Sequence, residues 1–140
     1  MKDVATTSIK RLALDDDRAS VGIARRFVLD ALADWRLDAV GRLIDDVALV
    51  VSEMVTNVVL HAETEAELVV SLGQGGLRVE VHDGSPQPPV HKHRAELAGT
   101  GRGVGLIESL AVDWGFEPEG TGKVVWAAFG PSSDRAVRAG

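Results

Sequence analysis

The chain has 140 residues, 45% of them hydrophobic and 26% charged, which fits one soluble globular domain with a real core. It contains no cysteine, which excludes a disulfide framework, a thiolate metal site and a thiol nucleophile. A formal net charge of −6, 4% aromatic content and no tyrosine argue against a nucleic-acid partner, which demands basic side chains and stacking rings.

No apolar run approaches the length of a membrane span, and the N-terminus lacks the basic-then-apolar layout of a signal peptide. The expectation is a cytoplasmic protein with no membrane contact. Thr7 to Leu14 reads as an edge strand, with Ile9, Leu12 and Leu14 interrupted by Lys10 and Arg11. Asp15, Asp16 and Asp17 then supply the negative charge and cap that a helix start favours. Val21, Ala24, Phe27, Val28, Ala31, Leu32 and Trp35 follow at helical spacing.

A second helix is expected from about Ala39 to His61. Leu43, Ile44, Val47, Val50, Val51, Met54 and Val58 share one face of it. Glu53 and Asn57 lie about 40° apart at the margin of that face. A carboxylate and a carboxamide there are costly unless they meet partners or a ligand. On the helix alone they read as a solvated edge. His61 reads as a cation at the helix C-terminus.

Glu67–Ser71 and Leu77–His82 flank a glycine cluster and predict a hairpin. Leu77, Val79 and Val81 alternate with Arg78, Glu80 and His82, so one face is buried and one is wet. Asp83 ends the second strand, and Pro86, Pro88 and Pro89 prevent its continuation. His91, Lys92, His93 and Arg94 read as a solvated basic loop, since no carboxylate or cysteine completes a metal set. A glycine-rich loop, Gly99 to Gly105, opens a third helix. Val112–Glu117 and Lys123–Phe129 read as a closing hairpin, with Trp114, Phe116, Val124, Trp126 and Ala128 facing inward. Residues 1–130 are expected to form the domain and 131–140 a frayed tail.

The glycine loop fits neither of two phosphate motifs. Gly122-Lys123 is followed by Val124 and has no glycine five residues earlier, so it is not a Walker loop. Gly101-x-Gly103-x-Gly105 has the wrong spacing for a dinucleotide fingerprint, and a Pro-rich loop rather than a strand precedes it. Two readings remain: backbone amides wrapped around a phosphate chain at a helix N-terminus, or a tight turn that lets the helix pack on the sheet.

The order of these features carries a resemblance. Val-Val-Ser-Glu-Met-Val-Thr-Asn-Val-Val-Leu-His-Ala (50–62) is similar to the N-box of the GHKL ATPase superfamily, and Thr-Gly-Arg-Gly-Val-Gly-Leu (100–106) to its G2 box. Trp35, the Asp-Trp-Gly-Phe string and Gly-Lys-Val-Val-Trp-Ala extend the match over about residues 8–130. The chain most resembles the anti-sigma-factor serine/threonine kinase branch, the RsbW and SpoIIAB type found as stand-alone domains in actinobacteria.

The resemblance implies a Bergerat ATP-binding fold: an α/β (α+β) two-layer sandwich with a mixed, mostly antiparallel sheet and helices on one face. It implies ATP and Mg²⁺ as cofactors. Asn57 then matches the metal ligand, and Glu53 the general base. Asp83 matches the acceptor for the adenine amino group, and Gly101, Arg102, Gly103, Val104 and Gly105 the phosphate loop. Thr121 is a candidate for an adenine-proximal threonine, although Gly122 or Lys123 aligns there equally well. The G1 box departs from the family's Asp-x-Gly-x-Gly, reading Asp83-Gly84-Ser85-Pro86-Gln87. The implied activity is phosphorylation of a STAS-type anti-anti-sigma partner together with capture of a sigma factor, with a homodimer as a further expectation. The alternative is a nucleotide-binding module that acts by partner capture without transfer.

Overall fold

The computed structural model describes residues 6–89 and 103–130. Strand β1 spans Thr6–Leu14 and is followed by helix α1, Ala19–Asp34. The acidic run between them works as the sequence suggests: Asp17 Oδ1 accepts the Ala19 amide at 2.7 Å, and Ser20 Oγ donates to the Asp15 carbonyl at 2.7 Å. Ala24, Val28, Ala31 and Leu32 form the buried stripe of α1.

Helix α2 runs Leu43–Asn57, shorter at both ends than the expected Ala39–His61. Gly41, at φ +51°, keeps the preceding residues in turns. After Asn57 the chain widens into a π-helical turn, Val58–Ala62. Left-handed Glu63 (φ 55°) closes it, its amide donating to the Val58 carbonyl at 2.8 Å. Val47, Val50, Val51 and Val55 are fully buried, each contributing about 1.5–3 kcal/mol of apolar burial.

Strands β2 (Ala66–Gly73) and β3 (Gly76–Asp83) form the expected hairpin around Gln74-Gly75. Helix α3 spans Gly103–Leu110, then β4 (Asp113–Glu119) and β5 (Gly122–Phe129) close the fold through a two-residue turn. The sheet order is β1-β2-β3-β5-β4, and every pairing among the described residues is antiparallel, in keeping with the mostly antiparallel sheet expected. Pro118 sits inside β4, which is an edge strand and tolerates the missing amide donor. All three helices cover one face, where Leu68, Val70, Val79, Val81, Val125 and Ala127 meet the α1 and α2 stripes and Ile107 of α3. Among the described residues no helix is long and apolar enough to cross a membrane.

The inward phase of β5 is the opposite of the expected one. Lys123, Val125, Ala127 and Phe129 face the core, not Val124, Trp126 and Ala128. Trp114 does pack against the core, whereas Phe116 is 44% exposed. Trp126 lies on the outer face across Gly115, where any Cβ would press on its ring, and Arg78 stacks on it at 4.4 Å. The strand is apolar from Val124 to Phe129, so alternation carries no phase information there.

Beside Trp126, Arg78 Nε donates to Glu80 at 2.7 Å, and His82 bridges Glu80 (2.8 Å) and Glu119 (2.6 Å). Burial alone would lower the His82 pKa, but the hydrogen bonds to Glu119 and Glu80 outweigh it and raise the pKa above 6.5. Burial would raise Glu80, but Arg78 and His82 hold it below 4.5. The stability that His82 adds is therefore complete below its unfolded pKa and lost as pH rises through the higher folded value. Glu80 adds stability above its unfolded pKa that disappears as pH falls through the lower folded value. Thermal unfolding of wild type should show a decline in Tm on the alkaline side of pH 6.5 that His82→Gln removes, and an unchanged slope in that variant would exclude the bridge as its source.

Candidate functional site

Asp83 ends β3 on its inward row, after Leu77, Val79 and Val81. Strand pairing sets Lys123, the second residue of β5, directly opposite it. The two side chains are 1% and 7% exposed and form an ion pair, Nζ to Oδ2 at 2.9 Å. Nζ also donates to Oδ1 at 3.1 Å and, more weakly, to the Ser85 carbonyl at 3.4 Å. The Ser85 amide donates to Oδ1 at 2.8 Å, an Asx turn that fixes the carboxylate rotamer. The Ser85 hydroxyl accepts the Gln87 amide at 3.2 Å, and Thr64 Oγ1 accepts the Gly84 amide at 2.9 Å. The departure from Asp-x-Gly-x-Gly thus brings its own fastening, through buried Ser85.

Oδ2 is different from Oδ1. It faces the ammonium closely yet accepts no well-aligned hydrogen bond among the described residues. A buried acceptor with spare lone pairs is costly unless a ligand completes it. It lies 2.9 Å from Nζ, and Asp83 and Lys123 line a small cleft with Met54, Val58, Val81, Ile107 and Val125. Asn57, the last residue of α2, lines the same cleft, with Pro89 at its rim. The arrangement is an apolar slot with a polar pair at its base and a carboxamide at its side.

Gly122 makes the arrangement possible. A Cβ there would collide with the carbonyl of Asp83, so only glycine lets β5 approach so near the carboxylate-bearing residue. Gly105, in the first turn of α3, is the reverse case. Among the described residues a Cβ there would meet nothing within 4 Å. Its φ is not positive, so neither packing nor backbone conformation demands a glycine.

The expected site residues fall as follows. Asn57 and Asp83 come together in the cleft. Glu53 is half-buried one turn earlier on α2 and is not part of the cleft wall. Gly103, Val104 and Gly105 begin α3, the helix that contributes Ile107 to the wall. Gly101, Arg102, His91, His93 and the 131–140 tail lie outside the described residues. Thr121 is exposed in the β4–β5 turn, and Lys123 faces Asp83 in its stead. Lys123 was an alternative to Thr121 in the sequence, whereas Ser85 and Thr64 were not among the expected site residues. Among the described residues no group of three or more His, Asp or Glu side chains could hold a metal by itself.

The sequence matches the histidine kinase-like ATPase domain family over residues 14–129. A crystal structure of the RsbU and RsbW domains of a Mycobacterium tuberculosis protein shares the fold, with a TM-score of 0.66 at 18% identity. The similarity covers 88% of this chain and 32% of that one, so this chain spans about a third of its length. No curated protein sequence matches.

Removing one member of the buried pair isolates the other. Asp83→Ala should destabilise the fold by about 3 kcal/mol in denaturant unfolding, because it strands the Lys123 ammonium. Adding Lys123→Met should restore most of that loss, and a double variant no better than the single one would deny the coupling.

Proposed function

The chain belongs to the histidine kinase-like ATPase domain family, and from that premise we propose that it binds Mg·ATP and acts as an anti-sigma-type serine/threonine kinase. The observation that carries the reading is that buried Asp83, at the end of β3, and Asn57, at the end of α2, line one small apolar-walled cleft. Asp83 would accept the adenine amino group, and Asn57 with the N-terminus of α3 would meet the phosphates. Asn57 would hold Mg²⁺, which would supply charge neutralisation for the phosphate oxygens.

The chain's own residues supply position and proton transfer. Met54, Val81, Ile107 and Val125 exclude water from the base. The Glu53 carboxylate takes the proton from the attacking Ser or Thr hydroxyl of a STAS-domain anti-anti-sigma partner. The same protein captures a sigma factor, a setting supported by the RsbW-domain neighbour. One observation favours the second reading, partner capture without transfer: Asn57 lines the cleft and Glu53 does not.

Two variants test the scheme. Asn57→Ala should weaken Mg²⁺-dependent ATP binding about tenfold or more in calorimetry while leaving Mg²⁺-free binding unchanged. Equal loss with and without Mg²⁺ would remove the metal role. Glu53→Gln should abolish transfer from labelled ATP to a STAS protein while sparing ATP affinity, and wild type that binds but never transfers would favour the capture module.

Gly105→Ala gives a signature of opposite signs. It should raise stability by about 0.5–1 kcal/mol, since nothing opposes the methyl group, and lower ATP affinity by narrowing the phosphate approach. A gain in stability with unaltered affinity would place the phosphates elsewhere.

A further inference from the structure

The Lys123 ammonium and the Asp83 carboxylate occupy each other. Nζ sits 2.9 Å from Oδ2 and 3.1 Å from Oδ1, and it reaches the Ser85 carbonyl at 3.4 Å. With side chains 7% and 1% exposed, the pair is little screened by solvent. The free space in the cleft beside it is about 10 Å³, room for one water molecule and far too little for a purine ring.

The two partners differ in freedom. Asp83 is held by the Ser85 amide at 2.8 Å, which fixes its rotamer. Lys123 carries its charge on a flexible four-carbon stem and is the second residue after the β4–β5 turn. The strands cannot part to widen the cleft, because Asp83 and Lys123 are register partners and Gly122 lies against the Asp83 carbonyl. The slot therefore opens by swinging the lysine out. An amino group on a ring is a neutral donor, and among apolar walls it is a weaker partner for a carboxylate than an ammonium is. An incoming base competes with Lys123 at a disadvantage.

We propose that Lys123 is an autoinhibitory residue: its ammonium keeps Asp83 occupied and the slot shut, so that nucleotide enters only molecules whose pair has opened. This rests on the nucleotide reading of the site. Apparent affinity is then the intrinsic affinity scaled down by the open fraction. The penalty falls on association, since the pair must open before a base can enter, and the dissociation rate is left largely alone. The pair thus sets the nucleotide concentration at which the protein loads. Anything that draws the ammonium away lowers that concentration.

The test compares the full wild-type chain with Lys123→Ser and Lys123→Gln, by calorimetric titration with Mg·ATP and by stopped-flow mixing with Mg·N-methylanthraniloyl-ATP. Lys123→Ser removes the charge, keeps a short donor beside Asp83 and clears the slot. It should bind at least about tenfold more tightly than wild type, with the gain carried by the association rate. Lys123→Gln keeps a donor and most of the bulk, and should fall between the two. Near-UV circular dichroism verifies folding of each variant. Wild type alone supplies a second readout: the Lys123 ammonium resonance, protected from solvent exchange in the free protein, should lose that protection at saturating Mg·ATP. Binding by Lys123→Ser beside a wild type that does not detectably bind is the expected result in its extreme form. Affinity of folded Lys123→Ser equal to or below that of wild type would overturn the autoinhibition and leave the nucleotide reading standing. A wild-type ammonium still protected at saturation would do the same. No binding by wild type or either folded variant would overturn both.

Discussion

A carboxylate with 1% of its surface exposed has to be held by charge and hydrogen bonds, and the end of the sandwich around Asp83 is built to do so. β5 must lie beside β3, out of sequence order, to bring Lys123 opposite it. Gly122 must lack a side chain for the strands to approach. The chain must turn after Asp83 through Gly84 and Ser85 so that the Ser85 amide reaches Oδ1 and Thr64 reaches the Gly84 amide. These arrangements give Oδ1 the Ser85 amide and set the Lys123 ammonium against both carboxylate oxygens. An assembly concerned only with stability would place two aliphatic side chains there.

The helical layer serves the same end. α2 buries a continuous aliphatic stripe, which fixes it on the sheet, and its last residue, Asn57, reaches the cleft where the helix passes into a π-helical turn. A π turn shifts the backbone register by one residue and often marks a functional position. α3 brings Ile107 to the same cleft and begins with glycines, one of which has open space beside it. Asp83, Asn57 and Ile107 thus come from three different elements converging on one end of β3.

The parts of this that the sequence made legible are those written in local periodicity. The α1 and α2 stripes, the β2–β3 hairpin and the wet face of Arg78, Glu80 and His82 all follow from spacing. So does Asn57 at the edge of a helix, although its meeting with Asp83 rested on resemblance. What local pattern could not carry was pairing between distant segments. Lys123 looks like any charged residue at a strand start until β5 inserts between β3 and β4. The phase of β5 was hidden by its continuous apolar run, and Trp126 finds its partner, Arg78, across the sheet rather than in the core. The α2 ends shifted because Gly41 takes a left-handed conformation and because the final turn is π rather than α.

The most direct measurement is a titration of the isotope-labelled chain with Mg·ATP, followed by amide chemical shifts. Saturable changes should gather at Asp83, Gly84, Ser85, Lys123, Val58 and Gly105. The wider apolar cleft at the opposite end of the sheet, lined by Leu43, Gly73, Leu77 and Phe129, should stay unchanged. Changes confined to that opposite cleft, or no saturable change at Asp83 and Lys123, would contradict a nucleotide site built on the buried pair.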